Sequence, residues 1–205
     1  CRARCSTRRC AGFTLIELMT AVFIMGLLLA VGAPSFTAFI QNVQIRSVAE
    51  SLQSGLNLAR DEAVKRNGNV SLWLVDGLTA GCARSASVAA WVVSLDDPTG
   101  NCNAAPSTGT VPRLLQSRTL GEGSSNVLVD ATGGTCATFN SFGRLQNSCA
   151  SASAGAPVQR IDFRSRVAPA ATRALALTIL AGGAVKLCHD GAAASDANYC
   201  QPKGP

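Results

Sequence analysis

Residues 10–40 read CAGFTLIELMTAVFIMGLLLAVGAPSFTAFI, and everything downstream turns on how this stretch is read. From Phe13 to Ile40 there are 28 residues with one charge, Glu17. A helix needs roughly 20 apolar residues to span a bilayer. An ordinary secretory signal has an apolar core of about 7–15 residues with a small-x-small cleavage site behind it. The run is too long for that, so it predicts a helix that is retained. A carboxylate in hydrocarbon is costly, and an ionisable side chain there marks function. Arg2, Arg4, Arg8 and Arg9 precede the run and hold its N-terminal side in the cytoplasm by the positive-inside rule, which places the remainder outside.

The formal net charge of the 205 residues is +6. Those four arginines supply most of it, and from Gly12 onward 14 Lys+Arg face 12 Asp+Glu. The basic balance therefore belongs to the N-terminal segment and is weak ground for nucleic-acid binding by the rest. The cysteines divide in the same way. Cys1, Cys5 and Cys10 lie in the basic segment, and Cys82, Cys102, Cys136, Cys149, Cys188 and Cys200 lie beyond the apolar run. None of these six stands in a C-x-x-C pair, which argues against zinc. An even, dispersed set behind an apolar segment fits an oxidising compartment.

Enzyme chemistry finds little footing. The single histidine, His189, is read as a loop residue. No serine elbow, phosphate loop or dinucleotide fingerprint occurs. Asp61-Glu62 and Asp96-Asp97 are adjacent residues, whose side chains diverge on a helix or a strand. The expectation is a non-enzyme with no cofactor and no metal.

After Ile40 the pattern turns amphipathic. Val48, Leu52, Leu56, Ala59 and Ala63 recur at three- and four-residue steps, while Arg46, Glu50, Gln53, Arg60, Asp61 and Lys65 fall off that stripe. Asn67-Gly68 is a stop signal. One helix from Phe13 to about Arg66 is predicted, with Gly26, Gly32 and Pro34 as points of weakness. Eight strands follow, at 69–75, 88–95, 113–120, 126–129, 136–142, 158–164, 173–180 and 184–188, joined by Gly/Ser/Ala/Pro-rich connections. Most connections are short enough for antiparallel pairing. The fold class is α+β: a long N-terminal helix, half transmembrane and half amphipathic, packed on an antiparallel β-sheet head.

The sequence Gly12-Phe13-Thr14-Leu15-Ile16-Glu17, behind a basic segment and ahead of a long apolar run, resembles the class III signal of type IV pilins and type II secretion pseudopilins. Pro34, twenty-two residues after Gly12, adds to the match. "ARDEAVKRNGNVSLWL", "TFNSFGRL" and "RALALTILAGGAVKLC" resemble the GspH/FimT/FimU group of that family. The resemblance implies a pilin fold with three parts: residues 1–12 as a prepilin leader, 13–40 as the transmembrane and assembly helix, and 41–205 as a periplasmic head. It implies cleavage between Gly12 and Phe13 by a prepilin peptidase, N-methylation of Phe13, and assembly roles for Glu17 and Pro34. Glu17 is then expected to neutralise the terminal amine of a neighbouring subunit, since an unpaired charge in a packed apolar bundle is costly. The implied partners are other minor and major pilins and an inner-membrane assembly platform. The implied location is the bacterial inner membrane, single-pass, and the pilus or pseudopilus filament.

Two further expectations concern the head. Six cysteines permit fifteen pairings; locality favours Cys82–Cys102, Cys136–Cys149 and Cys188–Cys200, and the last resembles the C-terminal loop of minor pilins. The rival function is DNA contact by a tip subunit. Some FimT-type pilins carry a Gly-Arg-x-Arg motif, and the matching positions here are Gly183, Ala184, Val185 and Lys186, with one arginine lost. In "VQRIDFRSR", alternation places Ile161 and Phe163 on one face and Arg160, Asp162, Arg164 and Arg166 on a solvated one. Arg160, Arg164, Arg166 and Lys186 are the candidate phosphate contacts.

Overall fold

A computed structural model describes residues 13–120, 125–151, 155–193, 195–196 and 198–200, with the side chains of residues 30–35 outside the description. The described chain divides into two units at Thr37/Ala38. One helix, α1 (Leu15–Arg66), is followed by β1 (Val70–Val75), β2 (Ala90–Ser94), β3 (Leu114–Thr119), β4 (Val127–Thr132), β5 (Cys136–Phe139), β6 (Arg160–Ser165), β7 (Leu175–Ile179) and β8 (Val185–His189). Each of the eight strands overlaps one read from the sequence. His189 is the last residue of β8 rather than a loop residue, because it pairs in register with Leu175 of β7; on its other side its N–H donates to the Asn198 carbonyl at 2.8 Å.

The helix ends are set by their own residues. Thr14 caps the start: its Oγ1 accepts the Glu17 N–H at 3.3 Å, one of the donors that a first turn leaves unpaired. At the far end Asn67 adopts φ 49°. Its N–H reaches the Val64 carbonyl at 3.2 Å, and the Gly68 N–H reaches that of Ala63 at 3.1 Å. This is the paired-bond pattern of a left-handed helix stop. The helix assignment runs unbroken across Pro34. Among the described residues no helix is long and apolar enough to cross a membrane; the stretch read as spanning runs through residues 30–35.

In the unit from Ala38 onward the strands form two antiparallel sheets rather than one, in the orders β3-β2-β1-β5 and β4-β6-β7-β8. The inner faces of both pack on one stripe of α1. Ile45, Val48, Ala49, Leu52, Leu56, Ala59 and Ala63 share a core with Leu72, Leu74, Trp91, Phe139, Ile161, Phe163 and Leu177. Burying a large aliphatic side chain contributes about 1.5–3 kcal/mol, so this stripe holds the unit together. Gly55 fits where the core is tightest, since a Cβ there would press on Leu72 and Trp91 at 3.0–3.1 Å.

Disulfide-closed loops cover the outer faces. Trp73, Val75, Ala90 and Val92 face away from α1 and cluster with Cys82, Cys102, Cys136, Cys149 and Leu114. That is why β1 and β2 are buried along their whole length. On the other sheet Ala176 is covered by Cys188 and Cys200. The bonded pairs are Cys82–Cys102, Cys136–Cys149 and Cys188–Cys200, with Cα separations of 6.0, 6.1 and 5.2 Å.

Candidate assembly interface

The sequence-derived site residues fall into two sets. The first lies at the start of α1. Gly12 is outside the described residues, as is the side chain of Pro34. Phe13 is 85% exposed, and every large apolar side chain from there to Leu29 is more than half exposed. These side chains surround the helix. A helix that is apolar all round needs cover on every side, and nothing in its own unit provides it.

Glu17 is the acidic residue of the first turn. There a carboxylate is favoured by the positive end of the helix macrodipole. Its own N–H is held by Thr14, and the Thr20 hydroxyl donates to its carbonyl at 3.0 Å. The backbone around Glu17 is thus fixed, and its side chain is exposed. Thr14 is a capping residue whose part in fixing this turn the sequence reading passed over. The signal was present as Thr14-x-x-Glu17, the spacing of a capping box.

The second set, the candidate phosphate contacts, needs correction. Arg160 and Asp162 were read on a solvated face, yet they are 7% and 1% exposed. The cause is the C-terminal loop. In register, Asp162 lies beside Ala176 and Ala176 beside Cys188, so the Cys188–Cys200 bridge sits over this row. Arg160 then pairs with Asp162 and, from the loop, with Asp190, both at 2.8 Å. Arg164 is exposed but pairs with Asp130 at 3.1 Å. Lys186 lies in the row of Arg160 and Thr178. Arg166 stands apart, past the end of β6, lining a cleft of about 180 Å³ with Val48, Leu120 and Val127. The four cations do not form one open patch. Two of them are committed to aspartates, and a buried Arg160 is unavailable to a polyanion.

Among the described residues no group of His, Cys, Asp and Glu is arranged to hold a metal. The perturbed carboxylate of note is structural. The Arg113 guanidinium grips Asp96 through two bonds of 2.7 and 2.8 Å and holds its pKa down at about 2. This pins the long connection before β3.

These features define a class: a chain that presents an all-round apolar helix with one carboxylate in its first turn, joined to a disulfide-stapled β head. The family model described as Type II transport protein GspH matches residues 48–183. The one described as Prokaryotic N-terminal methylation motif matches residues 7–33. The chain therefore belongs to the GspH family of pilins and pseudopilins, whose members are structural subunits rather than enzymes.

Among curated relatives, the type IV major pilin protein PilE of Neisseria gonorrhoeae is 32% identical over 110 residues, 53% of this chain and 64% of its own. The chain thus spans less than two thirds of that relative. The type IV narrow pilus major component PilA5 of Thermus thermophilus is 31% identical over 115 residues, 55% of this chain and 95% of its own. Among solved structures, the Pseudomonas aeruginosa type IV minor pilin FimU is 15% identical, with a TM-score of 0.45. It covers 73% of this chain and 91% of its own.

Proposed function

We propose that this protein is a minor pilin taking part in type IV pilus assembly, in an initiating or tip complex. Prepilin peptidase cuts it after Gly12 and methylates the new amine of Phe13. Residues 13–40 then anchor it in the inner membrane with the head in the periplasm, and later form part of the filament core on the assembly platform. The observation that carries this reading is the all-round apolar exposure of α1 from Phe13 to Leu29. Such a surface needs lipid before assembly and neighbouring helices after it. Glu17, set in the first turn by the Thr14 cap, neutralises the amine of an adjacent subunit.

A second reading has one observation in its favour. The matching family model carries the description of a type II transport protein, which supports a pseudopilin of a secretion system. Deleting the gene separates the two: loss of surface pili supports the first, and loss of secreted proteins with pili intact supports the second.

The processing reading is tested by mass spectrometry of the filament-borne protein. It is expected to begin at N-methylated Phe13, and residues 2–12 still attached would overturn it. Glu17→Ala is expected to insert and to be cleaved, but to enter filaments poorly. Incorporation at the wild-type level would remove the pairing role.

A further inference from the structure

The segment after β6, residues 166–173, reads RVAPAATR. Both its flanks are tied to one turn of α1. Before it, the Ser165 hydroxyl donates to Gln41 Oε1 at 3.2 Å, and both residues are buried. At its end the Arg173 N–H donates to Asn42 Oδ1 at 2.8 Å. Inside it, Ser165 Oγ accepts the N–H groups of Val167 and Ala168 at 3.2 and 3.1 Å. The Thr172 hydroxyl donates to the Ala168 carbonyl at 2.8 Å. The segment is a folded loop with a defined seat on residues 41 and 42, directly after the apolar run.

Its exposed side chains include two cations, Arg166 beside Val48 and Val127 and Arg173 beside Asn42 and Arg46, and an apolar group between them in sequence. Arg166 and Arg173 are exposed, and Val167 is 60% exposed. On the helix beside its seat, Phe39 and Val43 are 63% and 52% exposed. The two stretches that meet here, 38–46 and 164–175, hold Arg46, Arg164, Arg166 and Arg173 and no acidic residue. Glu50 neutralises Arg46 at 2.7 Å, and Asp130 neutralises Arg164 at 3.1 Å. Among the described residues of these two stretches, Arg166 and Arg173 are the exposed arginines with no carboxylate partner.

We propose that this loop rests on the headgroup phosphates of anionic phospholipids at the membrane surface, seating the head on the bilayer before the subunit is extracted. The inference rests on the reading that residues 13–40 anchor the chain. A guanidinium fork matches phosphate oxygens, and each cation near an anionic surface favours contact about fivefold. The apolar side chains suit the headgroup boundary. A nucleic acid in solution would gain nothing from Val167, Phe39 and Val43, and it would have no reason to be met one turn from an apolar anchor.

The test uses the full chain in nanodiscs of phosphatidylcholine, with and without phosphatidylglycerol, and reads amide hydrogen exchange. Exchange in residues 167–173 is expected to slow in the anionic discs. Arg166→Gln and Arg173→Gln should each return about fivefold of that protection, while β1 and β2 exchange as in the wild type. Equal exchange of the loop in both lipids, with the chain retained in the discs, overturns the proposal and leaves the anchor intact. A chain that is not retained in discs at all overturns the anchor, and the proposal falls with it. Equal protection from duplex DNA added to the phosphatidylcholine discs shows a general polyanion site and likewise overturns it.

Discussion

The two ends of α1 are one element built to opposite specifications. From Phe13 to Leu29 the apolar side chains point in all directions and stand more than half exposed. From Ile45 to Ala63 one stripe, Ile45, Val48, Ala49, Leu52, Leu56, Ala59 and Ala63, is buried to 5% or less. Helix propensity does not separate the halves, since both are rich in Leu and Ala. What differs is where the covering surface comes from. The second half carries its cover in the same chain, as two sheets. The first must find its cover in lipid or in other subunits. A subunit that has to be withdrawn from a membrane and packed into a filament needs that division: a head whose stability is its own, and a helix whose burial depends on its surroundings.

The comparison breaks most severely at Leu56, which is fully buried in the stripe between the sheets. Leu56→Ala is expected to cost the head about 2–5 kcal/mol, the transfer term plus the cavity left behind. An equivalent deletion at Leu28, 69% exposed, is expected to leave the unfolding midpoint of the head unchanged. Chemical denaturation followed by the fluorescence of Trp73 and Trp91 reads both. A Leu28→Ala head that unfolds earlier would show that the halves are not energetically separate.

The division was legible in the sequence because it is written in periodicity. A run with no polar stripe and a run with a three- and four-residue stripe are different patterns. They forecast the helix and most of the face it buries, Val48, Leu52, Leu56, Ala59 and Ala63, though not Ile45 and Ala49. The strands were legible for the same reason. The split into two sheets was not, because pairing partners such as β1 with β5 are distant in sequence and alternation does not encode them. Nor were the outer faces. The loops that cover them are Ala/Gly/Ser-rich and have no period, so Asp162 looked solvated when the Cys188–Cys200 bridge lies over its row and Asp190 reaches its partner Arg160. Arg160 illustrates the limit: an arginine on an alternating strand looks the same whether water or a loop lies outside it. The Thr14 cap was a different kind of miss, since its spacing was plain but was absorbed into the resemblance around Glu17.

The covering loops offer a second way to sharpen the contrast. Cys188 and Cys200 are twelve residues apart, and closing a loop of that size stabilises by about 3 kcal/mol in the chain-entropy model. The Cys188→Ser/Cys200→Ser variant is expected to lose roughly 2–4 kcal/mol of head stability and to raise amide exchange at β7 and β8 above that at β1. The row beneath the bridge contains the ion pairs of Arg160, so opening the loop also admits water to a buried charge. Retention of the chain in the membrane should not change. Exchange that rises equally in both sheets would show that the loop stabilises the head as a whole rather than as a local cover.

The smallest expected effect is electrostatic and lies in the connection between β2 and β3. Asp96 is held at a pKa of about 2, against an ordinary 3.8, chiefly by its side-chain hydrogen bonds to Arg113. A carboxyl whose folded pKa is depressed contributes stability that is fully present above its unfolded pKa and is lost as the pH falls toward the folded value. The contribution of Asp96 is therefore complete above about pH 4 and fades between pH 3.8 and about 2. Because the pair is partly open to solvent, screening keeps the contribution modest. Asp96→Asn should lower the thermal midpoint slightly at neutral pH, and the wild-type and variant midpoints should converge as the pH approaches 2. Salt should narrow the gap at neutral pH as well, since exposed charge pairs are screened. A gap that stays constant down to pH 2 would mean that Asp and Asn differ here in uncharged hydrogen-bond geometry, because the bond to the Arg113 backbone N–H, at 3.0 Å, also lowers the Asp96 pKa and titrates with the rest. The head would then owe this connection to hydrogen-bond geometry, as the first turn of α1 owes its start to Thr14, rather than to charge.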